Sequence, residues 1–105
     1  MFTGKKVKIR FKRYFFEQRV RVFVGIVLEM KDAWIKAKGK SYYLVKGEAK
    51  PHIDKIDKVV GVPRENIYSI RELPENLDLE NLNFEVKDLR MVITIPGAQP
   101  ASISE

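Results

Sequence analysis

The stretch that decides the fold runs from Val20 to Val45 and reads VRVFVGIVLEMKDAWIKAKGKSYYLV. Its first eleven residues carry an apolar side chain at every even position, which is the pattern of a strand because alternate side chains of a strand point to opposite faces. Eleven residues exceed the usual strand length of about five or six, and Gly25 near the middle permits a sharp bend or close packing. The stretch therefore predicts a long strand, bent at Gly25, of the kind found in a small and strongly curved barrel.

Strands of the same period flank the long one. Before it, the apolar residues Val7, Ile9 and Phe11 alternate with lysine and arginine, which predicts a first strand over residues 6–12 with a wholly cationic outer face. After a turn at Asp32, alternation resumes over residues 33–38, is interrupted over residues 39–41, and is followed by the apolar run at residues 42–45. We therefore expect a third strand that is kinked or turned at Gly39.

The rest of the chain predicts shorter elements. Residues 46–57 are polar and lack clear periodicity, which favours a loop. Residues 59–62 and 67–70 are short apolar runs on either side of the sequence PREN, and they predict two short strands joined by a tight turn. Residues 72–85 are acidic and fit neither period, so we expect an irregular segment with at most one helical turn. Residues 87–95 alternate again and predict a last strand.

Length and composition limit the classes to which the protein can belong. A chain of 105 residues, 45% of them hydrophobic, predicts one folded domain with one core. No apolar run reaches the length of about 18 residues that a membrane span needs, so we expect no membrane partner. The absence of cysteine favours the reducing cytoplasm.

The sequence contains none of the residue patterns that support catalysis. It has no cysteine nucleophile, no glycine-rich phosphate loop and no serine–histidine arrangement, so we expect a protein that is not an enzyme and carries no cofactor. His52, with Asp54 and Asp57, offers metal-ligand side chains. One histidine and two spaced carboxylates fall short of the ligand needs of zinc or iron, so we interpret them as a solvated loop and expect no metal site.

Charge is distributed unevenly along the chain. The net charge is +6, but residues 1–71 hold 18 basic and 7 acidic side chains, whereas residues 72–105 hold 2 basic and 7 acidic ones. A body this basic attracts polyanions, of which nucleic acid is the commonest in a cytoplasm. The same composition also fits a solvated lysine surface, so charge alone leaves both interpretations open.

Over roughly residues 5–71 the chain resembles the Sm-like proteins, the family that includes LSm proteins and Hfq. The family's first motif combines a strand, a long strand with a central glycine, an aspartate turn and a third strand; here it corresponds to Val7, Ile9, Phe11, Val24, Gly25, Val27, Asp32, Ile35 and Lys36. The second motif joins two short strands through a tight turn; here it corresponds to Val59, Val60, Val62, Pro63, Arg64, Glu65, Asn66, Ile67 and Ile70.

The resemblance implies that residues 1–71 form a small, strongly bent, five-stranded barrel of the SH3-like kind. It leaves the last third of the chain unexplained. There the residue pattern alone predicts an acidic linker with an extra C-terminal β segment and tail, residues 72–105, packed on the barrel, so that the whole fold is all-β. Sm-like domains assemble into rings by pairing the fourth strand of one subunit with the fifth strand of the next, which satisfies exposed strand edges. The resemblance therefore also implies a homo-oligomeric ring, from pentamer to heptamer, with single-stranded RNA as its partner.

The same resemblance places the RNA-binding residues in the two turns and on the third strand. Trp34 falls where the family has a base-stacking side chain, and Lys36 and Lys38 share its face and attract phosphates. Lys36 stands where the family has a base-contacting asparagine, so the paired donor and acceptor of an amide are absent. The expected RNA-binding residues are Asp32, Trp34, Lys36, Lys38, Arg64 and Asn66.

Other interpretations of these features stay open. Trp34 can instead pack against the extra C-terminal strand, Arg64 can be a solvated charge, and the aromatic run at residues 14–16 can close the barrel or form a subunit interface. A small barrel with a long extension also fits an adaptor or assembly module with a protein partner. A third possibility is a barrel that binds an anionic small molecule. The acidic segment after residue 71 can lie across the basic face and compete with polyanions.

Overall fold

The chain folds into two antiparallel sheets. A computed structural model describes residues 2–14, 19–44, 51–54, 56–87, 90–95 and 101–102. In chain order the strands are β1 (Lys6–Phe11), β2 (Val20–Met30), β3 (Trp34–Leu44), β4 (His52–Ile53), β5 (Lys58–Pro63), β6 (Ile67–Glu72), β7 (Asn83–Lys87), β8 (Arg90–Thr94) and β9 (Ala101–Ser102), with a 3₁₀ turn at Arg64–Asn66. No helix among the described residues is long and apolar enough to cross a membrane.

The larger sheet carries the residues of both sequence motifs. Its strand order is β4-β3-β2-β1-β6, and β5 also pairs with β3. In the described part of the chain, no pairing joins β6 to β4 or β5. The expected all-β fold is confirmed, and so are the two short strands around a tight turn, whereas the sheet is not closed into a barrel.

The two long strands approach each other closely at a pair of glycines. Strand β2 pairs with β3 along its length, and Gly25 lies opposite Gly39. A Cβ atom at Gly25 would lie 2.2 Å from the Lys38 carbonyl oxygen, and one at Gly39 would lie 2.1 Å from the Val24 carbonyl oxygen. No side chain fits at either position, so the close packing expected at Gly25 is present and β3 continues through Gly39 as one strand.

One hydrophobic core, called here the first core, lies on the inner face of the larger sheet. It draws on β1, β2 and β3, and its buried members are Val7, Ile9, Phe23, Val27, Ile35 and Ala37. Phe23 and Val27 occupy odd positions of β2, whereas the apolar series recognised in the sequence occupies the even ones. Strand β2 is therefore buried on both faces in its first half.

The second core lies on the outer face, between the larger sheet and the C-terminal part of the chain. Its buried members are Val22, Val24, Tyr42, Leu73, Leu77, Met91, Ile93 and Ile95. Phe84 also packs there, with its ring centroid 5.2 Å from that of Tyr42. Phe84 belongs to β7, which pairs with β8, so the expectation of an irregular segment up to residue 85 is wrong for residues 83–85. The pairing with β8 provides a partner that local sequence does not reveal.

The outer face of β1 is cationic, as expected, but it does not lie open to solvent. Lys8 is fully buried, Lys6 donates a hydrogen bond from Nζ to the Leu77 carbonyl oxygen at 2.6 Å, and the Arg10 guanidinium lies 4.5 Å from the centre of the Tyr68 ring. The segment that follows β6 passes over this face because its leucines enter the second core. Side-chain alternation along β1 could not reveal this tertiary covering.

The glycine pair generates a prediction about stability. Gly25→Ala is expected to lower the free energy of unfolding by about 2 kcal/mol or more, because the new methyl group overlaps a backbone carbonyl that has no room to move. Gly61→Ala is the matched control, since its Cβ would meet only the Trp34 ring at 4.0 Å, and its effect should stay below about 0.5 kcal/mol. Urea unfolding measures both, and equal effects would contradict the close approach of β2 and β3.

Candidate functional site

The first half of β3 presents an exposed face with an aromatic ring and two cations. Ile35 and Ala37 are 2% and 0% exposed and point into the first core, so the intervening residues point outward. Of these, Trp34 is 37% exposed, Lys36 is half-buried and Lys38 is exposed. Three of the six expected RNA-binding residues therefore share one face.

Strand β5 extends this face on one side. It pairs with the first half of β3 so that Pro63 lies opposite Trp34, Gly61 opposite Lys36 and Val59 opposite Lys38. Gly61 adds no side chain beside the tryptophan ring, and the Val59 side chain is exposed. The absence of a side chain at Gly61 leaves this side of the Trp34 ring accessible to a planar group.

Strand β2 extends the face on the other side. Ile26 lies opposite Lys38, and both Ile26 and Leu28 are exposed. We call the surface formed with β3 and β5 the Trp34 face, and its members are Ile26, Trp34, Lys36, Lys38 and Val59. The sequence did not predict its apolar members, because valine and isoleucine in a strand suggest core and only the strand pairing places Ile26 and Val59 opposite Lys38.

The carboxylate of Glu29 lies near the lysines of this face. Glu29 lies opposite Lys36 in the pairing of β2 with β3, and its carboxylate is 2.9 Å from Lys31 Nζ. The hydrogen bond and charge of Lys31, followed by the more distant charge of Lys36, lower the pKa of the Glu29 carboxyl, and the same contact raises the pKa of Lys31. Glu29 is therefore ionised at neutral pH and offsets part of the positive charge here.

Two turns meet at the edge of the Trp34 face. The Arg64 backbone N–H donates to the Ala33 carbonyl oxygen at 3.0 Å, and Arg64 Nε donates to the Lys31 carbonyl oxygen at 2.8 Å. These bonds connect the 3₁₀ turn to the turn between β2 and β3, which carries the exposed Asp32. The structure therefore brings Asp32 and Arg64 to the same edge as Trp34.

Asn66 lies apart from the other five expected residues. Its side-chain oxygen accepts a hydrogen bond from the Tyr14 hydroxyl, and its carbonyl oxygen accepts one from the Lys12 backbone N–H at 2.9 Å. It lines a separate pocket of about 140 Å³. Tyr14 is exposed, while the rest of the predicted aromatic run, Phe15 and Phe16, lies outside the described residues.

A larger cavity of about 450 Å³ lies where β3 meets the C-terminal part of the chain. The Lys40 ammonium lies 3.0 Å from a Glu80 carboxylate oxygen and 3.9 Å from one of Asp57, and its hydrogen bond with Glu80 is the main cause that raises the pKa of Lys40. Burial raises the pKa of the Tyr42 hydroxyl in the same wall. We interpret this cavity as part of the joint between the sheets, because an ion pair spans it.

The residues considered for a metal site have structural contacts. The Asp54 carboxylate accepts hydrogen bonds from Lys58 Nζ at 2.8 Å and from the Ile56 backbone N–H at 3.4 Å, which lower the pKa of Asp54. His52 lies exposed on β4. The described part of the chain contains no group of three histidine or carboxylate side chains placed to hold a metal ion.

Comparison with protein-family models, curated proteins and solved structures finds no match to this chain. Its function must therefore be inferred from its own residues. The Trp34 face combines an exposed aromatic ring, lysines beside it and an arginine-bearing turn at its edge, and this combination suits a flexible anionic ligand that contains planar groups.

Proposed function

We propose that the protein binds single-stranded RNA on the Trp34 face and assembles, as Sm-like proteins do, into a homo-oligomeric ring. The observation that carries the proposal is Trp34, a 37% exposed tryptophan on the same face as Lys36 and Lys38. Bases stack on an aromatic face whatever their identity, and lysines beside the ring neutralise the phosphates that connect the bases. Arg64 at the edge of the face adds a further phosphate donor.

The sheet edges support the assembly part of the proposal. Strand β5 pairs only with β3, and β6 pairs only with β1, among the described residues. Each strand therefore presents backbone donors and acceptors to a neighbour, and such edges favour pairing with another chain. These are the strands that correspond to the fourth and fifth strands of the Sm-like pattern, so pairing of β5 with β6 of the next copy generates a closed ring.

A protein partner is the second candidate for the same surface. Ile26 and Val59 of the Trp34 face are 38% and 53% exposed, and exposed apolar side chains on the same face as a tryptophan are typical of a protein interface. In that case the chain acts as an adaptor or assembly module. Binding of polynucleotide at physiological salt distinguishes the two candidates, because the adaptor needs no phosphate contacts.

The first functional prediction concerns RNA affinity. Trp34→Ala should weaken binding of oligo(U) and oligo(A) about 5- to 150-fold, which corresponds to the loss of about 1–3 kcal/mol from one stacked base. Trp34→Tyr keeps an aromatic face and should retain most of the affinity. Fluorescence anisotropy of labelled oligonucleotides measures the effect, and a salt series should give a log–log slope near −2 if about three cations contact phosphates. Equal affinity of the Ala and Tyr variants would exclude stacking on Trp34.

The second functional prediction concerns the oligomer. Light scattering after nuclease treatment and in high salt should give the mass of five to seven subunits of 12.2 kDa. Nuclease and salt remove nucleic acid that would otherwise add to the mass. A monomer under these conditions would rule out the ring, and the protein-partner candidate would then replace it.

Removing the acidic C-terminal extension is not a clean test of its role. Leu73 and Leu77 belong to the second core, so removing residues 72–105 would expose Val22 and Val24 and unfold the chain rather than free a basic face. Glu80 contacts Lys40, which does not belong to the Trp34 face, whereas Glu29 lies opposite Lys36. Single carboxylates are therefore better probes than truncation.

Two matched charge variants test where the anion binds. Glu29→Gln should tighten oligonucleotide binding about threefold at low salt, because a negative charge some 6 Å from the bound phosphate costs roughly 0.7 kcal/mol in water. Glu80→Gln makes the same change in net charge away from the Trp34 face and should alter affinity less. The gain should diminish as salt rises. A larger effect of Glu80→Gln would instead support competition by the acidic extension.

A further inference from the structure

A small pocket with a strongly basic lining lies on the other side of the 3₁₀ turn from the Trp34 face. It has a volume of about 140 Å³, and its lining consists of three cations, two aromatic rings and an amide: Lys12, Arg19, Arg21, Phe11, Tyr14 and Asn66. None of the described residues that line it is acidic. A pocket with three positive charges and no negative one favours an anion.

Both arginines of the pocket are held in place by their neighbours. The Arg21 guanidinium lies 4.4 Å from the centre of the Phe11 ring, and its Nε and Nη2 donate to Ser41 Oγ at 3.3 and 3.1 Å. The Arg19 guanidinium lies 4.7 Å from the centre of the Tyr43 ring. Arginines that are already oriented lose little side-chain freedom when they bind a ligand. A guanidinium has five N–H donors, so hydrogen bonds to a single hydroxyl leave other donors for a ligand.

The Asp54 carboxylate, whose charge interacts with Arg21, is already engaged with Lys58. The positive charge of Arg21 contributes to lowering the pKa of Asp54, but the main cause is the hydrogen bond from Lys58, whose Nζ is 2.8 Å from the Asp54 carboxylate. Asp54 therefore neutralises Lys58 first and leaves the pocket positive. A half-buried arginine in such surroundings is stabilised by an anionic ligand, because hydrogen bonds between charged partners are about twice as strong as neutral ones.

We propose that this pocket binds a phosphate monoester, with Arg19, Arg21 and Lys12 donating to the phosphate oxygens. Guanidinium groups match the geometry of phosphate in a bidentate manner. A volume of about 140 Å³ is below the roughly 300 Å³ of pockets that enclose a whole small molecule, so the pocket holds the phosphate and the remainder of the ligand lies outside. Tyr14 is 67% exposed at this place and offers a ring to an attached base.

Two ligands share this chemistry: a free mononucleotide and the terminal phosphate of an oligonucleotide. The site is separate from the Trp34 face and does not depend on RNA binding there. A mononucleotide therefore tests the pocket even if the chain binds no RNA, and an oligonucleotide with or without a 5′-phosphate tests whether RNA is the source of the phosphate.

The deciding experiment is titration calorimetry with uridine monophosphate and with uridine at constant ionic strength. The monophosphate should bind and uridine should not. Arg19→Gln should weaken binding about tenfold, the typical loss for one charge-assisted hydrogen bond. Arg21→Lys keeps the charge but loses the bidentate geometry, and should also weaken binding. Arg71→Gln is the matched control, because Arg71 is exposed on β6 and does not line the pocket.

The outcomes distinguish a specific phosphate site from non-specific attraction by surface charge. If uridine binds as well as its monophosphate, or if Arg71→Gln weakens binding as much as Arg19→Gln, the proposal is wrong. Circular dichroism identifies a variant that fails to fold. If Arg19→Gln does not fold, the affinity of Arg21→Lys for the monophosphate, compared with that of the wild type, decides whether the pocket binds phosphate. Tighter binding of a 5′-phosphorylated oligo(U) than of the 5′-hydroxyl form, lost in Arg19→Gln but kept in Trp34→Ala, would identify RNA ends as the phosphate source.

Discussion

The close approach of β2 and β3 at Gly25 and Gly39 determines how the rest of the chain is arranged. A side chain at either glycine would overlap a carbonyl oxygen of the opposite strand, so the two backbones can meet only because both positions lack Cβ. The pair also divides the outer face of the sheet. On one side of it, Val22, Val24 and Tyr42 are buried under the C-terminal part of the chain. On the other side, the residues of the Trp34 face remain accessible to solvent.

This division explains which parts of the fold were predictable. Strand β2 spans the predicted residues because its period of two is strong, and the turn between β5 and β6 follows from local turn chemistry. The even-position series predicts one buried face of β2, and Val22 and Val24 of that series are buried under Leu73 and Leu77, some 50 residues later. Burial of the opposite face at Phe23 and Val27 was not predicted, because it depends on packing against β1 and β3 in the first core. Strand β7 was missed for a related reason: Phe84 stands among acidic residues, and its strand forms only because β8 pairs with it.

In the candidate site too, the sequence predicted relations between residues close along the chain and missed those between distant residues. Trp34, Lys36 and Lys38 were predictable as a group because residues two apart on a strand share a face whatever the tertiary structure. Asn66 was grouped with Arg64 by the motif, but the 3₁₀ turn directs Arg64 towards Lys31 and Asn66 towards Tyr14. The exposed Ile26 and Val59 join the face through strand pairing, which is a relation between distant residues.

Net charge overstates the basic surface that the chain offers to a partner. Lys8 is buried, Lys6 is bound to a carbonyl of the acidic extension, and Lys40 is paired with Glu80. The extension thus contacts Lys6 and Lys40 on the half of the sheet that it covers. Its leucines pack on the same half. In the described part of the chain, the Trp34 face and the pocket of Arg19 and Arg21 are two places where cations lie beside an exposed aromatic ring. At long range, the attraction of a polyanion depends on the total charge of the protein, whereas affinity at contact depends on the local geometry of the charged groups. Recognition in the proposed function therefore depends on these two places rather than on the basic composition of the chain.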